Sequence, residues 1–149
     1  TEWSYGGRYR IDYRSGAMHS EPPLIRELKY GSDGQNIFLA VELNEEPTGK
    51  PAFEFLLRIR TDSGQRFRIR ASASKAGPAA IETDLPPDAV CAAIDQLCEM
   101  RISLNALGLK SGAPFLLQFA LYREGLPVAS LPVHGELRVL PTPMTAFAF

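Results

Sequence analysis

Histidines, cysteines and carboxylates carry most acid–base and metal chemistry in proteins, and in this chain they do not group. The two histidines, His19 and His134, each stand without a second His or Cys at ligand spacing, so no transition-metal site is expected. Acid–base catalysis needs carboxylates that converge on one bond. Asp12, Glu27, Glu42, Glu54 and Glu136 instead fall in strand-like stretches, mostly where the alternation turns them to solvent. Glu99, between Cys98 and Met100, fits two readings: a buried carboxylate paired with an arginine, or an outward strand residue. No serine sits in a GxSxG elbow, and Gly6-Gly7 is too short for a phosphate loop or a dinucleotide fingerprint. An independent enzyme, a cofactor and a bound metal are therefore not expected.

Two other sets suit recognition rather than reaction. Arg58, Arg60, Arg66, Arg68 and Arg70 recur at alternate positions on either side of one turn. Such a stripe either keeps an outer sheet face from stacking on other sheets, or forms an anion site or a dock for an acidic partner. Like charges on paired strands repel one another, which asks for a compensating partner. Sugar binding uses exposed rings as stacking platforms. Trp3 and Tyr5, just before Gly6-Gly7, are the candidates, whereas Tyr9 and Tyr13 share a face with Ile11 and are expected in the core.

The element that must position the arginines is Phe53–Ala71. Phe53, Phe55, Leu57 and Ile59 alternate with Glu54, Leu56, Arg58 and Arg60. After Asp62-Ser63-Gly64, Phe67 and Ile69 alternate with Arg66, Arg68 and Arg70. Period-two alternation on both sides of a Gly-containing turn predicts a β-hairpin with one buried face. Two strands are marginal alone, so that face needs further strands or a second sheet.

Similar grammar runs along the chain. Trp3–Arg14, Leu24–Tyr30, Asn36–Leu43, Pro114–Tyr122, Leu126–Leu131 and Gly135–Leu140 read as strands, and Ala79–Thr83 as a short edge strand. Gly31-Ser32-Asp33-Gly34 is turn chemistry, and Asn44–Pro51 and Ser72–Pro78 read as loops. Val90–Ser103 keeps even apolar spacing from Val90 to Ile102 and reads as one long or bent strand; Leu104–Leu109 reads as a single helical turn. About ten short strands with no amphipathic helix predict an all-β, antiparallel, jelly-roll-like sandwich. The 149 residues, without repeat or composition break, are expected to form one domain.

Net charge is −1, so neither nucleic acid nor an anionic membrane is an expected partner. No apolar run reaches the roughly 18 residues a membrane helix needs. Thr1 stands where a start methionine would be, and the expectation is a domain cut from a longer polypeptide. Cys91 and Cys98 would lie roughly 23 Å apart along an extended strand, far beyond the ~7 Å that a disulfide allows unless the chain turns sharply between them. Both are expected as buried free thiols, which suits a reducing, cytoplasmic setting.

The order of motifs adds a resemblance. Trp3–Tyr9 (WSYGGRY), then Ser15–His19 (SGAMH), then Lys29–Asp33 (KYGSD) running into NIFLAVEL, resemble the C-terminal β-sandwich of family 57-type glycoside hydrolases. These are the α-amylase and glucan-branching relatives, with a glucodextranase-like C-terminal domain. Ile102–Leu109 (ISLNALGL) and Leu131–Leu140 (LPVHGELRVL), with the proline that follows, are similar to the end of that domain. The resemblance spans nearly the whole chain. It implies a non-catalytic accessory domain, folded like a family 9 carbohydrate-binding module. Such a domain would pack on the catalytic barrel of the same polypeptide, with α-glucan as a candidate ligand. In the SGAMH motif His19 either pins its loop to the sheet or, with Trp3 or Tyr5, faces a sugar hydroxyl. Two features depart from the family pattern: Ser15 stands where a second small glycine-like residue is expected, and acidic residues for a calcium site are few.

Overall fold

The Phe53–Ala71 stretch folds as its alternation requires. A computed structural model describes residues 7–10 (backbone alone), 24–48, 52–132 and 135–140. In it β4 (Phe53–Thr61) and β5 (Arg66–Ser72) pair antiparallel around Asp62-Ser63-Gly64. Gly64 takes φ +88°, a conformation that side chains rarely adopt, and so permits the reversal. The turn is closed by backbone N–H groups of Gly64 and Thr61, which donate at 2.9 Å to the carbonyls of Thr61 and Gln65.

Ten further strands surround this hairpin: β1 (Gly7–Arg10), β2 (Ile25–Ser32), β3 (Asn36–Leu43), β6 (Gly77–Pro78), β7 (Ala80–Thr83), β8 (Val90–Ile94), β9 (Leu97–Ser103), β10 (Phe115–Arg123), β11 (Leu126–Leu131) and β12 (Leu137–Val139). No α-helix occurs among the described residues, only one 3₁₀ turn at Pro87–Ala89. The first sheet runs β1-β2-β3-β9-β8-β6 and the second β11-β10-β4-β5-β7. β12 continues the line of β11 along the same flank of β10. Every pairing is antiparallel, and the inner faces of the two sheets enclose one core, which makes the fold a β-sandwich.

The core is built from alternate residues. Phe55, Leu57 and Ile59 of β4 and Phe115, Leu117, Phe119 and Leu121 of β10 are essentially inaccessible. They join Leu39 and Val41 of β3 and Met100 and Ile102 of β9 in the same cluster. Full burial of each large apolar side chain stabilises the fold by about 1.5–3 kcal/mol. The central position of β4, between β10 and β5, fixes its outward side chains as firmly as its inward ones.

Some expectations need correction, beginning with Ser72–Pro78, which is not wholly a loop: Ser72 ends β5, and Gly77–Pro78 pairs with β8 as β6. Val90–Ser103 is not one strand: the chain reverses at Asp95-Gln96, so β8 and β9 form a hairpin with Ile94 opposite Cys98. Cys91 is exposed, not buried, because Val90, Ala92 and Ile94 take the core side of β8 and leave Cys91 on the other. Cys98 is buried, so the two free thiols occupy opposite faces of the hairpin. Glu27 is also buried, at 5% exposure. It keeps the parity that faces away from the core, opposite Glu42, so its burial comes from cover on that side; a bulge between Ile25 and Glu27 separately sets Ile25 and Leu28, three residues apart, both in the core. Finally, Leu104–Leu109 is a run of turns rather than a regular helix turn, with backbone bonds from Leu107 to Ser103, Gly108 to Asn105 and Leu109 to Leu104. Glu99 takes the outward of its two readings and is exposed.

Candidate functional site

Alternation along β4 and β5 puts all five arginines on the outer face of the second sheet. Arg58, Arg66 and Arg68 are exposed, and Arg60 and Arg70 are half-buried. Antiparallel register sets Arg58 directly opposite Arg68 and Arg60 opposite Arg66. On the other side of β4, β10 brings Gln118 beside Arg58 and Leu116 beside Arg60. The result is a groove of about 530 Å³ walled by Arg58, Arg60, Arg66 and Arg68, with Gln118, Asp84 and Glu136 at its margins.

The groove's charges are unevenly matched. Glu136, in the segment entering β12, grips Arg60 with both carboxylate oxygens: Nε lies 3.2 Å from each, and Nη2 lies 2.7 Å from Oε1. That two-point bond holds the Glu136 carboxyl below its ordinary range, and it raises the Arg60 guanidinium further. Arg70 has Glu54 at a looser 3.8 Å. The Arg58 guanidinium donates to the Gln118 amide oxygen at 3.4 Å, a neutral partner. Asp84 is engaged by backbone rather than by guanidinium, accepting from the Arg68 N–H at 3.1 Å. Among the described residues, the guanidinium groups of Arg58, Arg66 and Arg68 therefore have no carboxylate within 4.0 Å. Four arginines against Asp84 and Glu136 leave the groove with a net charge of +2, on a chain whose total is −1.

Another hollow is more balanced. The outer face of the first sheet has a shallower hollow of about 310 Å³ beside Phe38, Cys91, Glu99 and Arg101, with one charge of each sign. Arg123 lies over the Phe53 ring at 3.9 Å and pairs with Glu45 at 2.9 Å, which ties the β10 end to the loop after β3. Among the described residues no three His, Cys, Asp or Glu gather as a metal would need, and no helix is long and apolar enough to cross a membrane.

Of the residues singled out by sequence, the five arginines come together on one face. Trp3, Tyr5 and His19 lie outside the described residues, as does His134. Sequence reasoning missed three members of the groove. Gln118 had a signal: it is a polar residue in the apolar run PFLLQFALY, at an outward position. Asp84 and Glu136 had none, because their approach to the hairpin depends on β7 and β12 docking in place. Comparison of the chain with protein-family models, with curated proteins and with solved structures finds no match in any of the three.

Proposed function

We propose that this chain is a non-catalytic interaction module that docks on an acidic protein surface through the arginine face of its second sheet. One observation carries the reading: Arg58, Arg66 and Arg68 stand side by side on a fixed hairpin, and among the described residues none of their guanidinium groups has a carboxylate within 4.0 Å. A face that only had to stay soluble would be served by mixed charge, as in the hollow beside Glu99 and Arg101 on the first sheet. Like charges directly across paired strands are destabilising, and an acidic partner would offset that cost. The resemblance to the accessory domain of family 57-type glycoside hydrolases makes a catalytic barrel in the same polypeptide the first surface to test.

The test is a binding titration between this domain and the separately expressed barrel. Replacing Arg58 and Arg68 together by glutamine should weaken association at least ten-fold, mainly through a slower on-rate, and flatten its salt dependence. Each replacement alone should change the domain's own stability by no more than about 0.5 kcal/mol, since neither guanidinium has a carboxylate to lose. Association unchanged in the double variant would sink the docking reading. Retention on an α-glucan gel that survives the double variant would instead favour sugar contact through Trp3, Tyr5 and His19.

A further inference from the structure

The Arg60–Glu136 pair shows how this face receives a carboxylate. Glu136 is 76 positions from Arg60 in sequence, and its bond is two-pronged, the geometry that a guanidinium fork and a carboxylate prefer. The bond is not sealed in the core: the two side chains remain 39% and 35% exposed. Next to this filled position, one row along the hairpin, the Arg58–Arg68 pair offers the same fork chemistry: the Arg58 guanidinium meets only the neutral Gln118 amide, and Asp84 is held by the Arg68 backbone N–H rather than by its guanidinium. Rows on one face of a strand repeat every two residues, roughly 6.7 Å. That is also the spacing of carboxylates at alternate residues of an extended acidic segment.

Resting on the docking reading above, we infer that Glu136 is an internal cap that occupies one position of a carboxylate-binding row. The ligand is accordingly an extended acidic protein segment with carboxylates at alternate residues. Its first carboxylate seats on Arg58 and Arg68. A second competes with Glu136 for Arg60 and is helped by Arg66 opposite. The cap keeps Arg60 oriented while the face is empty and limits how tightly the face holds an acidic segment. The acidic residues of the groove thus have a role that the arginine stripe alone does not suggest: Glu136 sets affinity.

The inference predicts a gain of binding, which a damaged fold does not readily produce. The probe is a labelled oligoglutamate peptide, titrated by fluorescence anisotropy at low ionic strength. Glu136→Gln keeps the side chain's shape and removes its charge, and should tighten binding about five-fold or more. In an Arg60→Gln/Glu136→Gln double variant that gain should disappear, because it acts through Arg60. Arg58→Gln/Arg68→Gln should weaken binding about ten-fold whether or not Glu136 is intact. Unchanged or weaker binding by Glu136→Gln, or a gain that persists without Arg60, overturns the cap. If the Arg58/Arg68 loss is still seen in that case, the docking reading stands without it. Failure of every variant to bind the peptide removes both. Tighter binding to single-stranded RNA than to oligoglutamate of equal charge overturns the carboxylate assignment.

Discussion

Replacing Phe119 by alanine should destabilise the domain by about 3–5 kcal/mol. Phe119 is 1% exposed on β10, the strand that pairs with β4 along one flank and with β11 and β12 along the other. Its ring lies 5.8 Å from that of Phe55 on β4, tilted at 48°, a geometry that adds about 0.5–1.5 kcal/mol beyond area burial. The substitution removes that pairing and leaves a ring-sized cavity between two sheets whose backbones are locked by ladder bonds on both sides. Relaxation into the gap is therefore limited, and the cost falls high in the range for such deletions. Against a total of about 5–15 kcal/mol for a domain, this is a large share. Urea unfolding checks it: the midpoint should drop sharply with the slope little changed. Gln118→Ala, one residue away and facing outward, should stay within about 0.5 kcal/mol. A loss below about 1 kcal/mol at Phe119 would mean that β10 does not run between β4 and β11 with Phe119 in the core.

Phe119 and Gln118 also show what the sequence makes legible. In β4 and β5 the two faces differ in polarity, so period-two alternation assigns the arginines to solvent without knowledge of the partner strands. Every arginine of the stripe was placed correctly for that reason. Parity fails where it is ambiguous or broken. In the β8–β9 hairpin facing residues share parity, as Ile94 and Cys98 do, so the inward set keeps even spacing through the turn. One long strand and a hairpin then write the same pattern, and Asp95-Gln96 carries no glycine or proline to reveal the reversal. Cys91 is legible all the same: the alternation that sends Val90 and Ala92 inward sends Cys91 out, whatever the usual burial of a cysteine. Glu27 was hidden because alternation gives the side of the sheet but not what covers it: Glu27 keeps the parity that faces away from the core, opposite Glu42. The groove's acidic margin was hidden by distance, since nothing local to Glu136 marks it as the partner of Arg60.

Cys98 should make the fold lose stability in alkali. Burial, helped by the neighbouring charge of Glu99, pushes its thiol from an ordinary 9.0 up to about 12. Above pH 9 an unfolded chain releases this proton, while the folded chain keeps it. The unfolded state then binds fewer protons, so stability falls as pH rises. The contribution is fully present below pH 9 and declines by about 1.4 kcal/mol per pH unit, reaching a loss of roughly 4 kcal/mol as pH nears 12. Tyrosines and lysines titrate over the same window, so the comparison that isolates Cys98 is with Cys98→Ala. That variant should be less stable at pH 7, because it vacates a buried site, yet lose less stability between pH 9 and pH 11 than the parent. Thiol labelling gives an independent check. A neutral-pH reagent should modify Cys91 rapidly, because it is exposed, and reach Cys98 only through opening of the fold. One thiol should therefore react in native buffer and two in urea. Rapid native labelling of both, or alkaline slopes that coincide in parent and variant, would place Cys98 outside the core and undo the facing of β9 against the second sheet.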